Sequence, residues 1–370
     1  MTGIEKWSAI NRTMSDHKIA IMALQETHLD QTLLQDIENC FGRRLTVVTS
    51  QSPTSPRATT GVAFVINKAL ISPRELQVHE LINGRAMAIK IKWRENEEAV
   101  LINVYAPNER SEHKNFWTQV ESRQRSKNIR RPDFLLGDFN VTEDPLDRAP
   151  IRPDDPNAIE ALRDLRHRLD LQDTWRHAFP HDRSFTYRAN CNGQQIKSRL
   201  DRIYTSSTAA KHTYGWKICQ TAVPTDHWMV LAKYAPAEAP YIGKGRWTWQ
   251  LTSLKNKPLM KLVIERGKRL QEAMEQNLRN GTDRGISNPQ TLWKTFKNDI
   301  REMAQKQNKE SRAKITKRMN TIRKDMDELT NHPNLDTDTN TCYNEAFLAN
   351  KLAPWKKSRQ ETERTNSERP

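Results

Sequence analysis

The chain has 370 residues, with 60 Lys and Arg against 45 Asp and Glu, a formal net charge of +15, and four cysteines. No stretch approaches the ~20 consecutive apolar residues of a membrane-spanning helix, and Met1 leads into polar residues with no apolar core of signal-peptide length, so a soluble intracellular chain is expected. Cys40, Cys191, Cys219 and Cys342 show no paired spacing, which supports neither a zinc site nor a disulfide framework and fits a reducing compartment.

At ~100 to 200 residues per domain, this length predicts two units or one large unit with an extension. In chain order, Ile4, Trp7, Ile10 and Met14 recur at helical spacing and predict a helix over 4–17. The short apolar run at 18–24 (KIAIMAL) then reads as a buried strand. A helix near 30–40 is followed by strand-like runs at 45–50, 61–67, 86–93 and 100–106, and a second helix near 112–127 by the run FLLGDF at 134–139. A helix near 156–170 and strand-like runs at 184–189, 202–207 and 227–234 complete this part. Ala86 to Ile91 alternates at period two, so antiparallel, half-buried strands are expected rather than a purely parallel sheet.

The proline-bounded stretch Pro236-Ala237-Glu238-Ala239-Pro240 marks a boundary. The expected organisation is a folded domain over 1–235, a linker over 236–243, a basic helical extension over 244–355 and a disordered tail over 356–370, rich in Lys, Arg, Glu and Ser. Residues 244–370 hold 27 Lys and Arg against 16 Asp and Glu, and residues 1–243 hold 33 against 29, so the excess positive charge belongs to the C-terminal third. Such a surface attracts phosphate backbones without sequence preference; a solvated charged helical linker is the alternative. Within it Val263, Leu270, Met274 and Leu278, and again Trp293, Phe296, Ile300 and Met303, follow helical spacing. Ile315, Met319, Ile322, Met326 and Leu329 step by four and three as a coiled-coil seam would, but two heptads are too few for that, and an amphipathic helix packing on its neighbours or on a missing partner is expected.

Four runs in fixed order carry the chemistry: Gln25-Glu26-Thr27, Gly137-Asp138-Phe139-Asn140, Ser198-Arg199-Leu200-Asp201-Arg202 and Thr225-Asp226-His227. Three of them stand at the ends of apolar runs, which delivers acidic, amide and imidazole groups to one rim of a sheet. Such a set suits holding a divalent metal and activating water against a phosphodiester. Taken singly, a Glu after a strand can be a solvated carboxylate, Asp-His a helix cap, and Gly-Asp-Phe-Asn plain turn chemistry. Their joint order, with Asn103-Val104-Tyr105-Ala106-Pro107-Asn108 between the first two, carries the signal.

In these motifs the chain, over roughly residues 4–235, resembles the endonuclease/exonuclease/phosphatase superfamily of DNase-I-like and apurinic/apyrimidinic-type nucleases, and within it the endonuclease domain of LINE-type (non-LTR) retrotransposons. The resemblance implies a four-layer α/β sandwich of two mainly antiparallel sheets, here with a helical C-terminal extension. It implies a Mg2+ (or Mn2+) held by Glu26 with Asp226, Asp138 taking the proton of the attacking water, and Asn140 orienting that water. It further implies His227, held in one tautomer by Asp201, donating to a phosphate oxygen, with Tyr105 as a further phosphate contact. The implied reaction is hydrolysis of a DNA phosphodiester to a 5′ phosphate and a 3′ hydroxyl that would prime reverse transcription.

Two features depart from the family pattern. Its closing Ser-Asp-His reads Thr225-Asp226-His227 here, and its N-terminal strand ending in an Asn has no counterpart before the first helix, so a chain truncated at its N-terminus is expected. The segments Gly245-Arg246-Trp247-Thr248-Trp249 and Asn288 to Lys294 resemble the region joining endonuclease to reverse transcriptase in fungal LINE-type polyproteins. The reverse-transcriptase motif Tyr/Phe-x-Asp-Asp is absent, and the one Asp-Asp pair, Asp154-Asp155, lies in a proline-flanked loop. The partners implied are DNA and, through the parental element, a reverse transcriptase domain or RNA, in the nucleus and with no membrane. Alternatives are another phosphoesterase of the same fold, a repair-type apurinic endonuclease, or a catalytically inactive nucleic-acid-binding remnant.

Overall fold

The computed structural model describes residues 3–51, 60–94, 97–191, 194–221, 223, 225–235, 249, 251–279, 288–330 and, near the C-terminus, 344, 347, 348, 351, 352, 354 and 355. They belong to two units, one within residues 1–240, the other within 241–332 and 339–370. The expected linker at 236–243, the tail at 356–370 and all but Trp249 of the segment 245–249 lie outside the described residues.

The first unit runs α1 (Gly3–His17), β1 (Ile21–Gln25), α2 (Gln31–Phe41), β2 (Leu45–Ser50), β3 (Val62–Asn67), β4 (Gln77–Ile82), β5 (Ala86–Arg94), β6 (Glu97–Tyr105), α3 (His113–Ser126), β7 (Phe134–Asp138), β8 (Arg148–Ala149), α4 (Pro156–Leu169), β9 (Leu171–Gln172), α5 (Thr174–Ala178), β10 (Tyr187–Cys191), β11 (Gln194–Ser198), β12 (Asp201–Ser206), α6 (Ser207–Ala210), β13 (Thr213–Cys219) and β14 (Met229–Tyr234). A six-stranded sheet has the order β4-β5-β6-β7-β12-β9. Only its β6–β7 pair is parallel. A parallel pair needs a long crossover, and residues 106–133 supply one that contains α3. A second sheet, β1-β3-β2, is antiparallel throughout, as are the smaller sets β13-β14 and β10-β11-β8.

Period-two alternation decides the layering. In β5, Ala86 and Ala88 join Phe116, Trp117 and Val120 of α3 and Leu162 and Leu165 of α4, while Met87, Ile89 and Ile91 join Val62, Phe64 and Ile66 of β3. The other face of β3, Ala63 and Val65, packs with Trp7, Ile10 and Met14 of α1 and Ile37 of α2. Helices, sheet, sheet and helices therefore follow one another, the four-layer sandwich the motifs imply. Met229 and Leu231 of β14 pack against this last core, so the β13-β14 ribbon shares the helical layer that covers β1. Among the described residues β1 pairs only with β3 and β14 only with β13, and the second layer consists of two separate pieces.

One polar residue ties the two layers together. Asn103 of β6 is fully buried, donates from Nδ2 to the carbonyls of Leu24 (3.0 Å) and Ala63 (2.9 Å), and accepts from Gln25 Nε2 (2.6 Å). With every polar atom satisfied, a buried amide sets the register of one sheet on the other where apolar packing would allow sliding.

In the second unit, α7 (Lys257–Arg279) packs on α8 (Pro289–Thr330). The helical spacings at Trp293–Met303 and Ile315–Leu329 lie on this one continuous helix, since no Gly or Pro occurs between 290 and 330. Asn288 Oδ1 caps it by accepting the Thr291 N–H at 2.9 Å, and Pro289 occupies the first turn, where no donor is needed. The seam of Ile315, Met319, Ile322 and Met326 is covered by Leu348, Leu352 and Trp355 of the same chain. The heptad-like stepping thus marks intramolecular packing, and the coiled-coil reading is set aside.

Gly137 has φ of +141°, and a Cβ there would come 1.9 Å from the Val104 carbonyl oxygen. Gly137→Ala is therefore expected to destabilise the first unit by about 3 kcal/mol or more, from left-handed strain and the clash with backbone. Chemical denaturation followed by tryptophan fluorescence checks this, and an unchanged midpoint would contradict the close approach of β7 to β6.

Candidate active site

Three adjacent strands bring their functional residues to one level. Tyr105 ends β6 and pairs with Asp138, which ends β7 and pairs in turn with Asp201, the first residue of β12. Immediately after β1, Glu26 adopts φ of +50°, and its Oε1 accepts the Tyr105 hydroxyl at 2.5 Å. Asn140 (φ +49°) and His28 (φ +46°) share this left-handed conformation, so loops at the rim carry backbone strain that the surrounding packing sustains.

The Gly-Asp-Phe-Asn run is resolved by alternation. Phe139 is buried against Trp117 (5.7 Å between centroids) and Tyr204 (4.8 Å), which leaves Asp138 and Asn140 on the opposite side. Asp138 Oδ1 accepts the Asn140 backbone N–H at 2.9 Å, and Asn140 Nδ2 donates to the Ala106 carbonyl (2.9 Å) and to Asn108 Oδ1 (2.8 Å). Asn108, which closes the Tyr-x-Pro-Asn run, thereby orients the Asn140 amide.

His227 Nδ1 lies 2.8 Å from Asp201 Oδ2. One donor atom each from Asp138, Asp201 and His227 come within 4.8 Å of one another. Burial pushes the Asp138 carboxyl up, the Asp201 and Glu26 charges add to this, and the value stands at about 7 despite the opposing His227. Burial works against the His227 cation, but the bond to Asp201 and the charges of Asp201, Asp138 and Asp226 outweigh it and raise His227 to about 9. Near neutral pH His227 is thus an imidazolium whose Nδ1–H donates to Asp201, leaving Nε2–H as a second donor. The Tyr105 hydroxyl is held well above its ordinary value by burial and by Glu26, and stays protonated.

The five residues assigned to catalysis are accordingly assembled here. The two assigned to a metal stand differently: Glu26 is bonded to Tyr105, Asp226 is exposed beside His227, and neither belongs to the group of three donors. Glu26 still acts on this site, since its charge helps raise Asp138. The carboxylates of Asp138 and Asp201, with Glu26 nearby, are of the kind that suits a hard divalent cation.

Other residues also build the site, and of these only Asn103 lies in a motif singled out from the sequence. Thr186 is fully buried; its hydroxyl oxygen accepts the N–H groups of Leu200 and Asp201, both at 3.0 Å, and its carbonyl accepts the Trp228 N–H at 2.6 Å. It therefore clasps the start of the strand bearing Asp201 to the loop bearing His227. Tyr187 packs against the His227 ring at 4.9 Å with the planes tilted by 49°, and Arg188 lies over Trp228 at 4.5 Å. Asn103, buried two residues before Tyr105, acts on the other side of the site by fixing Gln25, the neighbour of Glu26. Nothing in local sequence marks Thr186, because its partners are backbone groups brought to it by the fold.

The flanking charges of Ser198-Arg199-Leu200-Asp201-Arg202 are structural. Arg199 is buried, bonds both oxygens of Asp147 at 2.8 Å and Asp173 at 2.6 Å, and stacks over Trp175. Arg202 is buried between Glu143 and Tyr204.

The model of the endonuclease/exonuclease/phosphatase family matches residues 8–227, and the chain belongs to that family. A segment of 136 residues is 32% identical to an uncharacterized 149 kDa protein of transposon TX1 from Xenopus laevis; the match takes in 36% of this chain and about a tenth (10%) of that protein. Among solved structures the fold is similar to the AP endonuclease LMAP from Leishmania major, with a TM-score of 0.52 at 16% identity over 63% of this chain and 83% of the other. It is also similar to the endonuclease domain of TRAS1, a telomere-specific non-LTR retrotransposon, with a TM-score of 0.47 at 16% identity, over 62% and 93%.

Two outcomes are expected. Thr186→Val, which leaves two buried N–H groups without an acceptor, should lower kcat by about 10-fold or more with KM little changed, while Thr186→Ser restores it; equal kcat in both would show that the clasp does not position the site. In metal-free protein, NMR titration should place His227 at about 9, and Asp201→Asn should return it toward the ordinary 6.5 by removing the charge that favours the imidazolium.

Proposed function

We propose that the chain is a metal-dependent DNA endonuclease that nicks a phosphodiester to leave a 3′ hydroxyl and a 5′ phosphate. The observation that carries this reading is the convergence of Asp138, Asp201 and His227 within 4.8 Å on neighbouring strand and loop ends, beside the Tyr105–Glu26 pair. A carboxylate near 7 and an imidazolium near 9 are poised apart, one to accept a proton and one to donate a hydrogen bond, across neutral pH.

Asp138 takes the proton of the attacking water, which Asn140 orients through its amide. His227, held by Asp201, donates from Nε2–H to a non-bridging oxygen and stabilises the charge that develops on the phosphorane-like transition state. The Tyr105 hydroxyl supplies a further donor. Glu26, with Asp226, would hold the Mg2+ or Mn2+, which when bound neutralises charge on the phosphate and on the departing 3′ oxygen.

DNA as substrate and an origin in a LINE-type element are supported by the motif order and by the 32% identical segment in the TX1 protein. On this reading the 3′ hydroxyl serves as a primer, the partners are DNA and a reverse transcriptase or RNA of the same element, and the site of action is the nucleus.

The test is nicking of supercoiled plasmid. Cleavage should require Mg2+ or Mn2+, stop with a chelator, and fall by about 100-fold or more in Asp138→Ala and in His227→Ala. Unchanged nicking in both variants would remove the assignment, and cleavage of small phosphomonoesters in preference to DNA would move the chain to another activity of the fold.

A further inference from the structure

In the second unit, α8 carries charge of one sign along its middle. Between Lys306 and Lys324 it has eight cations (Lys306, Lys309, Arg312, Lys314, Lys317, Arg318, Arg323 and Lys324) against one acid, Glu310. All eight are exposed. At 3.6 residues per turn, Lys306, Lys317 and Lys324 return to one line, Lys309 and Lys314 flank it, and the apolar seam of Ile315, Met319, Ile322 and Met326 lies on the opposite side. The three arginines lie off this line: Arg312 and Arg323 flank the seam on one side, and Arg318 lies over Trp355 at 5.3 Å on the other.

Two further observations select the partner. Beside the lysine line Arg312, Thr316, Lys317, Asn320, Thr321 and Lys324 line an open groove, so hydroxyl and amide groups interleave with the cations. Side chains of these types are the ones that contact phosphate oxygens. In addition, among the described residues no large hydrophobic side chain between 306 and 324 is exposed, and the seam behind is already occupied by Leu348, Leu352 and Trp355. A helix that lies on a lipid surface needs an uncovered apolar face, and a protein partner needs an aromatic or aliphatic anchor; α8 offers neither on this side.

We propose that the lysine face of α8 from Lys306 to Lys324 is a sequence-independent binding surface for the phosphate backbone of a nucleic acid. It spans about 27 Å at 1.5 Å per residue, enough to meet several successive phosphates of a duplex. It stands on α8 alone and does not depend on the catalytic reading.

The test uses the full chain carrying His227→Ala, with chelator, so that binding is read without cleavage. A fluorescent mixed-sequence DNA duplex is titrated between about 50 and about 200 mM salt for this parent and for the same chain with K306Q, K309Q, K314Q, K317Q and K324Q. Gln keeps helix propensity, and circular dichroism verifies the fold. The Gln set should bind about 10-fold or more weakly at the lower salt, and the slope of log K against log salt should flatten by about 0.9 for each phosphate that the helix no longer neutralises. Arg at the same five positions should restore both. Equal slopes in the parent and the Gln set would overturn the proposal, as would failure of the Arg set to rescue. So would vesicles rich in phosphatidylserine, or poly-glutamate, bound as tightly as the duplex and weakened equally by the Gln set.

Discussion

The site depends on one register. Tyr105, Asp138 and Asp201 stand side by side because β6, β7 and β12 end or begin at the same level, and β7 can sit that close to β6 only where residue 137 has no side chain. A glycine at φ of +141° also turns the chain as it leaves the strand, so the following residue reaches the rim. A slip of one residue along β7 would exchange Asp138 for Phe139 and turn the carboxylate into the core, where Phe139 now packs on Trp117 and Tyr204. Register, packing and chemistry are therefore a single constraint.

Buried polar groups extend that constraint outward. Asn103 fixes the β1-β3-β2 sheet on the larger one and so places Glu26 beside Tyr105, and Thr186 joins β12 to the loop of His227. The network of Arg199 with Asp147 and Asp173 surrounds the same strand start; removing one partner of a buried pair leaves an uncompensated charge, which typically costs about 3 to 5 kcal/mol. Satisfied networks of this kind add specificity of arrangement more than net stability, which is what a site built from strand ends on two sheets requires.

The second unit follows a different logic. Its long helix α8 divides its surface between a seam closed by Leu348, Leu352 and Trp355 and a face of lysines that stays in water. Covering the seam from within the chain removes an apolar stripe that would otherwise invite association, and leaves charge as the property this helix presents.

Much of this was legible in the residues themselves. Apolar runs of strand length and their period-two alternation follow from local chemistry, and the order of the motifs at their ends, through the family they resemble, named Glu26, Tyr105, Asp138, Asn140, Asp201 and His227. The helical spacing of Ile315 to Met326 was equally visible, but whether another chain or this one covers it depends on residues more than twenty positions away. Asn103 and Asn108 stand in the run around Tyr105, but what they bond, like what Thr186 bonds, lies in segments distant in sequence, and a Thr or Asn in a strand or loop does not show its partner. Local sequence determined which groups could do chemistry and on which elements they ride. The tertiary structure alone decided which of them meet, because strand register and buried hydrogen bonds between distant segments set the distances over which protons and charges act.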